Sequence, residues 1–331
     1  MKFQTAVTLS PPSSVIHHSD RLLLLGSCFA DAVGTRLVRA GFRAVVNPFG
    51  TLYNPASVAE VLTRVLDGRP FEASDMHPFG AEGWGSWMSH SLLSRSIADE
   101  ALQVHNERLA QASRQLHEAR VLLITFGTAW VYTLKGRQAG FPVANCHHEP
   151  AERFTRERMT VDDIVCLWQP LLQRLADECP QLHVIFTVSP IRHLRDGAHA
   201  NQLSKATLLL AVDSLMGGRA GLAYFPSYEI VLDELRDYRF YADDMVHPSS
   251  LAIDYLWERF ADTWLDESAR QTARRIEEVH KALDHRPLHP ESDEYRRFLR
   301  QTLLKIEDIR KEIPYFEAGK LIDQCHTLLN N

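Results

Sequence analysis

The segment that opens the first recognisable structural unit reads Leu22-Leu23-Leu24-Leu25-Gly26-Ser27-Cys28-Phe29-Ala30. An uninterrupted apolar run that stops at a glycine is typical of a strand buried on both faces, followed here by the start of a helix. Two more apolar runs end in the same way, at 121–126 before Gly127 and at 184–188 before Ser189-Pro190. These runs predict parallel strands of one central sheet.

Between and after these strands, apolar residues recur at helical spacing. Asn54-Pro55 offers an N-cap followed by a first-turn proline, and Thr160 with Asp163 resembles a capping box. Alternating strands and helices predict a doubly wound α/β domain, in which ligands bind beyond the carboxyl ends of the strands. The predicted helices span residues 28–40, 55–67, 97–118, 160–177, 199–216 and 250–264.

The last part of the chain has a different pattern, because the apolar runs disappear after about residue 266. Charged sequence with helical spacing covers 272–283 and 292–311. We therefore predict an α/β domain at residues 1–265 and a helical C-terminal extension at residues 266–331. The extension would pack on the core or mediate self-association.

Composition narrows the classes of function. The 331 residues include 36 basic and 42 acidic side chains, for a formal net charge of -6, which gives no electrostatic footprint for nucleic acid. No apolar run is long enough for a signal peptide or a membrane span, so we expect a cytoplasmic protein without a membrane partner. The five cysteines are scattered without a C-x-x-C pair, which predicts free thiols.

Two short motifs carry residues that are capable of chemistry. Ser27 or Cys28 would be exposed at a sharp strand-to-helix turn, where helix amides stabilise an anion. Asp244 and His247 lie three residues apart before the helix at 250–264, and a carboxylate can fix the tautomer of a neighbouring imidazole. Alone, each motif also has an ordinary structural interpretation, a capped helix or a loop hydrogen bond. Together they indicate a nucleophile and an acid–base pair.

Gly26-Ser27-Cys28-Phe29-Ala30 spells the name-giving motif of the bacterial GSCFA family, which is grouped with the SGNH (GDSL-like) hydrolases, and the chain resembles that family over about residues 5–260. Further stretches that resemble the family are Gly127-Thr128-Ala129-Trp130, Ala144-Asn145-Cys146-His147, Ser189-Pro190-Ile191-Arg192-His193, Tyr224-Phe225-Pro226-Ser227-Tyr228-Glu229 and Asp237-Tyr238-Arg239-Phe240-Tyr241, the last of which leads into Asp244 and His247.

The resemblance implies a flavodoxin-like three-layer αβα sandwich with a mostly parallel sheet. It also implies a Ser-His-Asp triad that hydrolyses or transfers esters, usually on acetylated carbohydrates or lipids. Asp244 and His247 match the last block of the wider superfamily, whereas in the first block Cys28, not Ser27, falls at the nucleophile position. We prefer Cys28, because a thiol ionises more readily than a hydroxyl and a nearby His with helix amides would lower its pKa.

The oxyanion hole departs from the superfamily pattern, because Gly127-Thr128-Ala129-Trp130 lacks the third-block asparagine. Gly50 matches the second-block glycine, and Thr128 or Asn145 would supply the missing donor. Each of these residues also has an interpretation as a turn glycine or a strand-end polar residue. We expect His147 to line the pocket beside Asn145.

Basic residues after the strand at 184–188 would hold an anionic group of a substrate. Arg192, His193 and Lys205 are the candidates for binding a carboxylate or phosphate. No His or Cys spacing matches a known zinc signature, including that of Cys146-His147-His148-Glu149, so neither a metal nor a cofactor is expected.

Three functions fit these patterns. The preferred one is an esterase that acts on a small-molecule or carbohydrate ester. The alternatives are an acyltransferase to a carbohydrate acceptor with the same residues, and a non-catalytic binding or scaffold protein, since a fold does not by itself secure an activity.

Overall fold

A computed structural model of the protein describes residues 5–10, 14–136 and 140–330. Residues 1–4, part of the start for which no signal peptide was expected, lie outside the described residues. The strands are β1 (Arg21–Gly26), β2 (Arg43–Val46), β3 (His77–Pro78), β4 (Trp84–Gly85), β5 (Val121–Phe126), β6 (Trp130–Leu134), β7 (Phe154–Arg158), β8 (His183–Val188) and β9 (Leu222–Tyr224). The α-helices are α1 (Cys28–Arg39), α2 (Pro55–Asp67), α3 (Ala98–Glu118), α4 (Val161–Glu178), α5 (Gly197–Met216), α6 (Ser227–Glu229), α7 (Ser250–Trp264), α8 (Glu267–Asp284), α9 (Asp293–Glu312) and α10 (Gly319–Asn330).

Five strands form one parallel sheet in the order β2-β1-β5-β8-β9. Counted within the sheet this is the 2-1-3-4-5 order of flavodoxin-like doubly wound folds. The predicted α/β fold with a parallel central sheet is therefore confirmed. The carboxyl ends of the five strands meet at one edge, which we call the carboxyl edge.

The leucine run of β1 supplies both faces of this sheet. Leu23 and Leu25 belong to a core cluster with α2, α3, α4 and α5, whereas Leu22 and Leu24 belong to a second cluster with α1 and α7. Successive side chains of a strand point to opposite faces, so only a continuous apolar run can bury itself on both sides. The result is the expected three-layer sandwich.

The predicted helices of the α/β domain agree with the observed ones to within about two residues at each end. Asn54 Oδ1 accepts a hydrogen bond from the amide of Ser57 at 2.8 Å, with Pro55 at the first helical position. Thr160 and Asp163 exchange side-chain to backbone hydrogen bonds at 3.1 and 2.8 Å, which confirms the capping box. These caps satisfy amides that have no partner inside the helix.

Short strands escaped the sequence analysis. β2 and β9, at the two edges of the sheet, have only four and three residues, and all of them are half-buried. Two antiparallel pairs, β3 with β4 and β6 with β7, lie outside the central sheet. Strands this short give no apolar run or alternation that distinguishes them from loops.

The C-terminal helices α8, α9 and α10 share a core cluster of their own, formed by residues such as Ile276, Leu299 and Ile306. The region also contacts the α/β domain through His18. Its Nδ1 lies 3.0 Å from Tyr315 Oη, and its Nε2 donates to the carbonyl oxygen of Ala40 at 2.9 Å. α10 was not predicted. The boundary at 265/266 and the self-association of this region stay predictions. Among the described residues, no helix combines the length and apolarity needed to cross a membrane.

Candidate active site

The turn after β1 depends on Gly26. Its φ is 135°, and a side chain there would place a Cβ 2.1 Å from the carbonyl oxygen of Thr125 on the adjacent strand. The Gly26 amide donates to Asn47 Oδ1 at 2.8 Å. Only glycine allows this approach of β5, so the sheet itself fixes where the following Ser27 and Cys28 emerge.

Ser27 and Cys28 have different surroundings. Ser27 is 1% exposed and caps α1, with its Oγ accepting from the amide of Phe29 at 3.4 Å. Cys28 is half-buried, and its Sγ lies 3.8 Å from Tyr53 Oη, which in turn receives a hydrogen bond from Thr51 Oγ1 at 3.3 Å. Of the two, only Cys28 offers its side chain to a molecule outside the core.

The thiol of Cys28 is held in its protonated form. Burial raises its pKa above the ordinary value and outweighs the hydrogen bond from Tyr53, which lowers it; the carboxylate of Asp31 raises the pKa further, against a smaller effect of the helix amide. The sequence-based expectation of a lowered pKa was wrong, because desolvation outweighs the helix amides. A base must therefore remove the proton before Cys28 attacks.

Asp244 and His247 form the expected pair. Asp244 Oδ2 lies 2.6 Å from His247 Nδ1, and Asp244 Oδ1 accepts from the amides of His247 and Val246, both at 2.9 Å. These two backbone hydrogen bonds, with the His247 side chain, lower the pKa of Asp244 to about 2. An ionised carboxylate on Nδ1 places the imidazole proton there and leaves Nε2 as a base.

Arg192 braces the loop that carries this pair. Its amide donates to Val246 O and its guanidinium to Met245 O, both at 3.1 Å. Met245 has a φ of 56°, which is uncommon for a residue with a side chain. Arg192 was expected to bind a substrate anion, but its observed contacts instead support the turn between Asp244 and His247.

His193 lies deeper, at the carboxyl end of β8. Its Nε2 is buried and makes no hydrogen bond to any residue that the structure describes. Burial, and then the positive charge of Lys205, lower the pKa of His193 to about 4; His247 contributes in the same direction. His193 is therefore a neutral imidazole that lies within electrostatic range of His247.

Lys205 does not face the substrate side. The side chain is 1% exposed, and its Nζ donates to the carbonyl oxygens of Gly127 (2.6 Å) and Ser189 (2.7 Å). Burial lowers the pKa of Lys205 to about 7. The expectation that Lys205 grips a substrate anion was wrong, because the amine instead joins the carboxyl ends of β5 and β8.

The backbone amides expected in the oxyanion hole already have partners. Those of Gly127 and Thr128 both donate to Tyr53 O at 2.8 Å, and that of Gly50 donates to Asn47 O at 2.8 Å. The Thr128 hydroxyl shares a hydrogen bond of 3.1 Å with Ser204 Oγ. None of the three amides is free in this conformation to bind an oxyanion.

Gly127 and Gly50 nonetheless have a spatial role. A Cβ on Gly127 would lie 3.0 Å from Tyr53 O, 3.2 Å from Ser27 Cβ and 3.5 Å from His193 Nε2. A Cβ on Gly50, whose φ is 78°, would lie 2.3 Å from the Cβ of His90. Both glycines let neighbouring chain segments approach closely. At Gly127 these neighbours include Ser27 and His193.

Asn145 and His147 bond to each other and to the region around β3 and β4. Asn145 Oδ1 accepts from the His147 amide at 2.8 Å, and His147 is 1% exposed. The ring nitrogens of His147 bond Glu82 Oε2 (2.8 Å) and Ser86 O (3.0 Å), and the ring stacks on Phe79. His147 therefore holds the loop around β3 and β4 together. Its burial does not support the expectation that it lines the pocket.

The turns after β1, β5 and β8 meet at the carboxyl edge, since a Cβ on Gly127 would lie close to both Ser27 and His193. The loop of Asp244 and His247 lies beside the segment after β8, because the Arg192 amide donates to Val246 O. Neither Ser27 nor Cys28 makes a hydrogen bond to His247 among the described residues. Catalytic hydrogen bonds are often long in the free enzyme and tighten when substrate binds.

Sequence reasoning missed Tyr53, Asp31 and His90. Tyr53 contacts Cys28 and its ring meets the His193 ring edge-on, with centroids 6.2 Å apart. Asp31 accepts a hydrogen bond from Asn47 Nδ2 at 2.8 Å. Burial raises the pKa of Asp31, whereas this hydrogen bond and the nearby His90 lower it. The signal for Tyr53 was the segment 47–53, which becomes informative only once β2 is known to end just before it.

A large cavity lies elsewhere. It measures about 910 Å³ and is enclosed by charged residues of α1, α7 and α8, among them Arg36, Asp254 and Glu277. No residue of the candidate active site lines it. Among the described residues, no group of three or more His, Cys, Asp or Glu side chains is arranged to hold a metal ion.

Comparison with known families gives two matches. A model described as the GSCFA family matches residues 21–260, and one described as a GSCFA domain protein, C-terminal domain, matches residues 276–331. No curated protein matches the chain. The first match contains every residue of the candidate active site.

Proposed function

The chain belongs to the GSCFA family, and we propose that it is an SGNH-type ester hydrolase that removes small acyl groups through a covalent acyl-enzyme. The observation that carries the proposal is the Asp244–His247 pair, with 2.6 Å between Oδ2 and Nδ1, on a loop that Arg192 holds beside the carboxyl end of β8. The strand order is compatible with this superfamily, although fold alone does not establish an activity.

The proposed reaction begins with a protonated thiol. Cys28 Sγ attacks the ester carbonyl carbon and forms a carbon–sulfur bond, its proton passes to His247 Nε2, and the carbonyl electron pair moves to oxygen. The tetrahedral intermediate then expels the alcohol, which takes the proton from His247. A water molecule, deprotonated by His247, hydrolyses the thioester and restores the thiol. Asp244 stabilises the imidazolium in both halves of the reaction.

Accessibility favours Cys28 over Ser27 as nucleophile. Ser27 is 1% exposed and its Oγ is engaged in capping α1, so using it would uncap the helix. Cys28 is half-buried, and its contact with Tyr53 is long, at 3.8 Å. Ser27 remains the alternative, because it lies nearer to Gly127 and His193.

Hydrolysis is preferred to transfer because the base is open to solvent. The side chains of His247 and Asp244 are 47% and 50% exposed. An acyltransferase needs to keep water from the acyl-enzyme, and such exposure gives water free access. We propose an acyl group on a carbohydrate or other small alcohol as the substrate class.

The absence of a hydrogen bond between His247 and either Ser27 or Cys28 in the described residues supports a second candidate, a non-catalytic binding protein. One assay separates the two. An activated acetyl ester should give a burst of product and one added acetyl group on the peptide that contains Cys28.

Variants sharpen this assay. Cys28→Ala and His247→Ala should abolish the burst, whereas Ser27→Ala should keep it if its fold is intact. Cys166→Ala is the matched control, since Cys166 is an exposed thiol on α4. No burst from the wild-type protein, or a burst that survives both Cys28→Ala and His247→Ala, would reject the esterase.

A further inference from the structure

The oxyanion of the proposed reaction lacks an evident hydrogen-bond donor. Gly50, Gly127 and Thr128 all donate their amides within the fold. Asn145, the other candidate, accepts from the His147 amide through its side-chain oxygen, next to a histidine buried in the β3–β4 region, and keeps its NH₂ group as a donor. The backbone amides of Gly50, Gly127 and Thr128 therefore leave room for a further side-chain donor besides the nucleophile's own amide.

His193 lies beside Gly127 and close to the turn that carries Ser27 and Cys28. A point 3.5 Å from its Nε2 is also 3.2 Å from Ser27 Cβ, because both flank Gly127. The ring packs edge-on to Tyr53, the residue that contacts Cys28 Sγ. The His193 amide donates to Asn201 Oδ1 at 2.9 Å, which anchors the backbone of this residue to α5.

The protonation state of His193 suits a donor better than a base. Burial disfavours a positive charge on the ring most, and Lys205, His247 and Arg156 act in the same direction against Asp196. The resulting pKa of about 4 makes His193 a weak base, but a neutral imidazole keeps one N–H at every physiological pH.

The unpaired ring nitrogen Nε2 of His193 also supports a donor role. Buried polar nitrogens are nearly always hydrogen-bonded in folded proteins, and an exception calls for a functional explanation. His193 Nε2 is buried without a partner among the described residues, on the side of the ring that faces Gly127. A ligand oxygen beside Gly127 would satisfy it.

Building on the proposed esterase function, we propose that His193 is a catalytic residue that donates a hydrogen bond from Nε2–H to the carbonyl oxygen of the ester. As Cys28 Sγ bonds to the carbonyl carbon, the carbonyl electron pair moves to this oxygen, and His193 stabilises the charge while keeping its own proton. His247 alone accepts and returns the transferred proton. Two histidines thus divide the roles of donor and base, as their environments dictate.

The test compares His193→Phe with His193→Gln. Phenylalanine removes the donor, so kcat for an activated acetyl ester should fall roughly 10²–10³-fold with KM changed only a few-fold. Glutamine offers an amide N–H and should recover part of the loss. His199→Phe is the matched control, since His199 is exposed in the first turn of α5.

A second readout does not depend on activity. In protein labelled with ¹⁵N at histidine, the resonance absent from His193→Gln should show a neutral ring with Nε2 protonated between pH 5 and 8. An imidazolium at pH 6, or a proton on Nδ1, overturns the inference, as does full kcat in His193→Phe while the wild-type protein is active. If the wild-type protein gives no burst, the esterase proposal fails and the donor role fails with it.

Discussion

The buried amine of Lys205 lies 2.6 Å from the carbonyl oxygen of Gly127, and it also donates to Ser189 O at 2.7 Å. One side chain from α5 therefore ties together the ends of β5 and β8, next to His193. The charge of this amine contributes to keeping His193 neutral. The stability of the carboxyl edge and the electrostatics of the candidate site thus depend on the same residue.

Replacing Lys205 by Met should destabilise the protein. The methionine fills similar space but leaves two buried carbonyl oxygens without donors, which at pH 9 should lower the free energy of unfolding by about 2–4 kcal/mol. Denaturant titration measures the change. Lys305→Met, on the exposed face of α9, should change it by less than about 0.5 kcal/mol. Equal stability of the two variants would contradict the tie between β5 and β8.

The contribution of Lys205 should also depend on pH. Its pKa is about 7 in the folded protein against 10.5 for an ordinary lysine, so between these values the unfolded state binds the extra proton. The free energy of unfolding contributed by this group should therefore rise with pH across that window, by at most about 1.4 kcal/mol per unit. The difference between wild type and Lys205→Met, measured at pH 7, 8 and 9, should increase, and a constant difference would contradict the lowered pKa.

A methyl group at Gly127 should fill the space between Ser27 and His193. With its Cβ 3.0 Å from Tyr53 O, Gly127→Ala should cost about 1–3 kcal/mol of stability and abolish the acetyl-ester burst. Thermal unfolding and burst kinetics measure the two effects. Gly319→Ala is the control, because nothing lies within 4 Å of a Cβ at that position. A fully active Gly127→Ala would show that no substrate atom uses this space.

Removing the guanidinium of Arg192 should loosen the turn that carries Asp244 and His247. Arg192→Ala loses the hydrogen bond to Met245 O but keeps the backbone bond to Val246 O, so kcat should fall on the order of 10²-fold through misplacement of His247. Arg236→Ala, which removes an exposed ion pair within one turn, should leave kcat unchanged. Unaltered kcat in both variants would mean that the brace is not needed for catalysis.

Asp244→Asn should impair catalysis while leaving the turn intact. The asparagine oxygen can still accept from the amides of Val246 and His247, but its NH₂ group cannot accept the proton on His247 Nδ1, which favours the wrong tautomer. We expect kcat to fall about 10²–10⁴-fold with little change in melting temperature. Asp243→Asn, at the exposed neighbouring carboxylate, is the control. A loss shared by both variants would point to a general charge effect.

The sequence by itself determined the layered fold. The runs of β1, β5 and β8 are apolar without interruption because both faces of those strands are covered, and the caps at Asn54 and Thr160 act within a few residues of themselves. The Asp244–His247 pair is local too, since its partners are three residues apart. Such features depend on neighbouring residues and so can be read along the chain.

Only the tertiary structure decided which residues contact one another at the site. Lys205 bonds Gly127 across 78 residues of sequence and Arg192 bonds Met245 across 53, and spacing along the chain carries no information about such contacts. The neutral state of His193 and the raised pKa of Cys28 come from burial and from charges on other elements. Desolvation is a property of the packed edge as a whole, so no single motif could have predicted it.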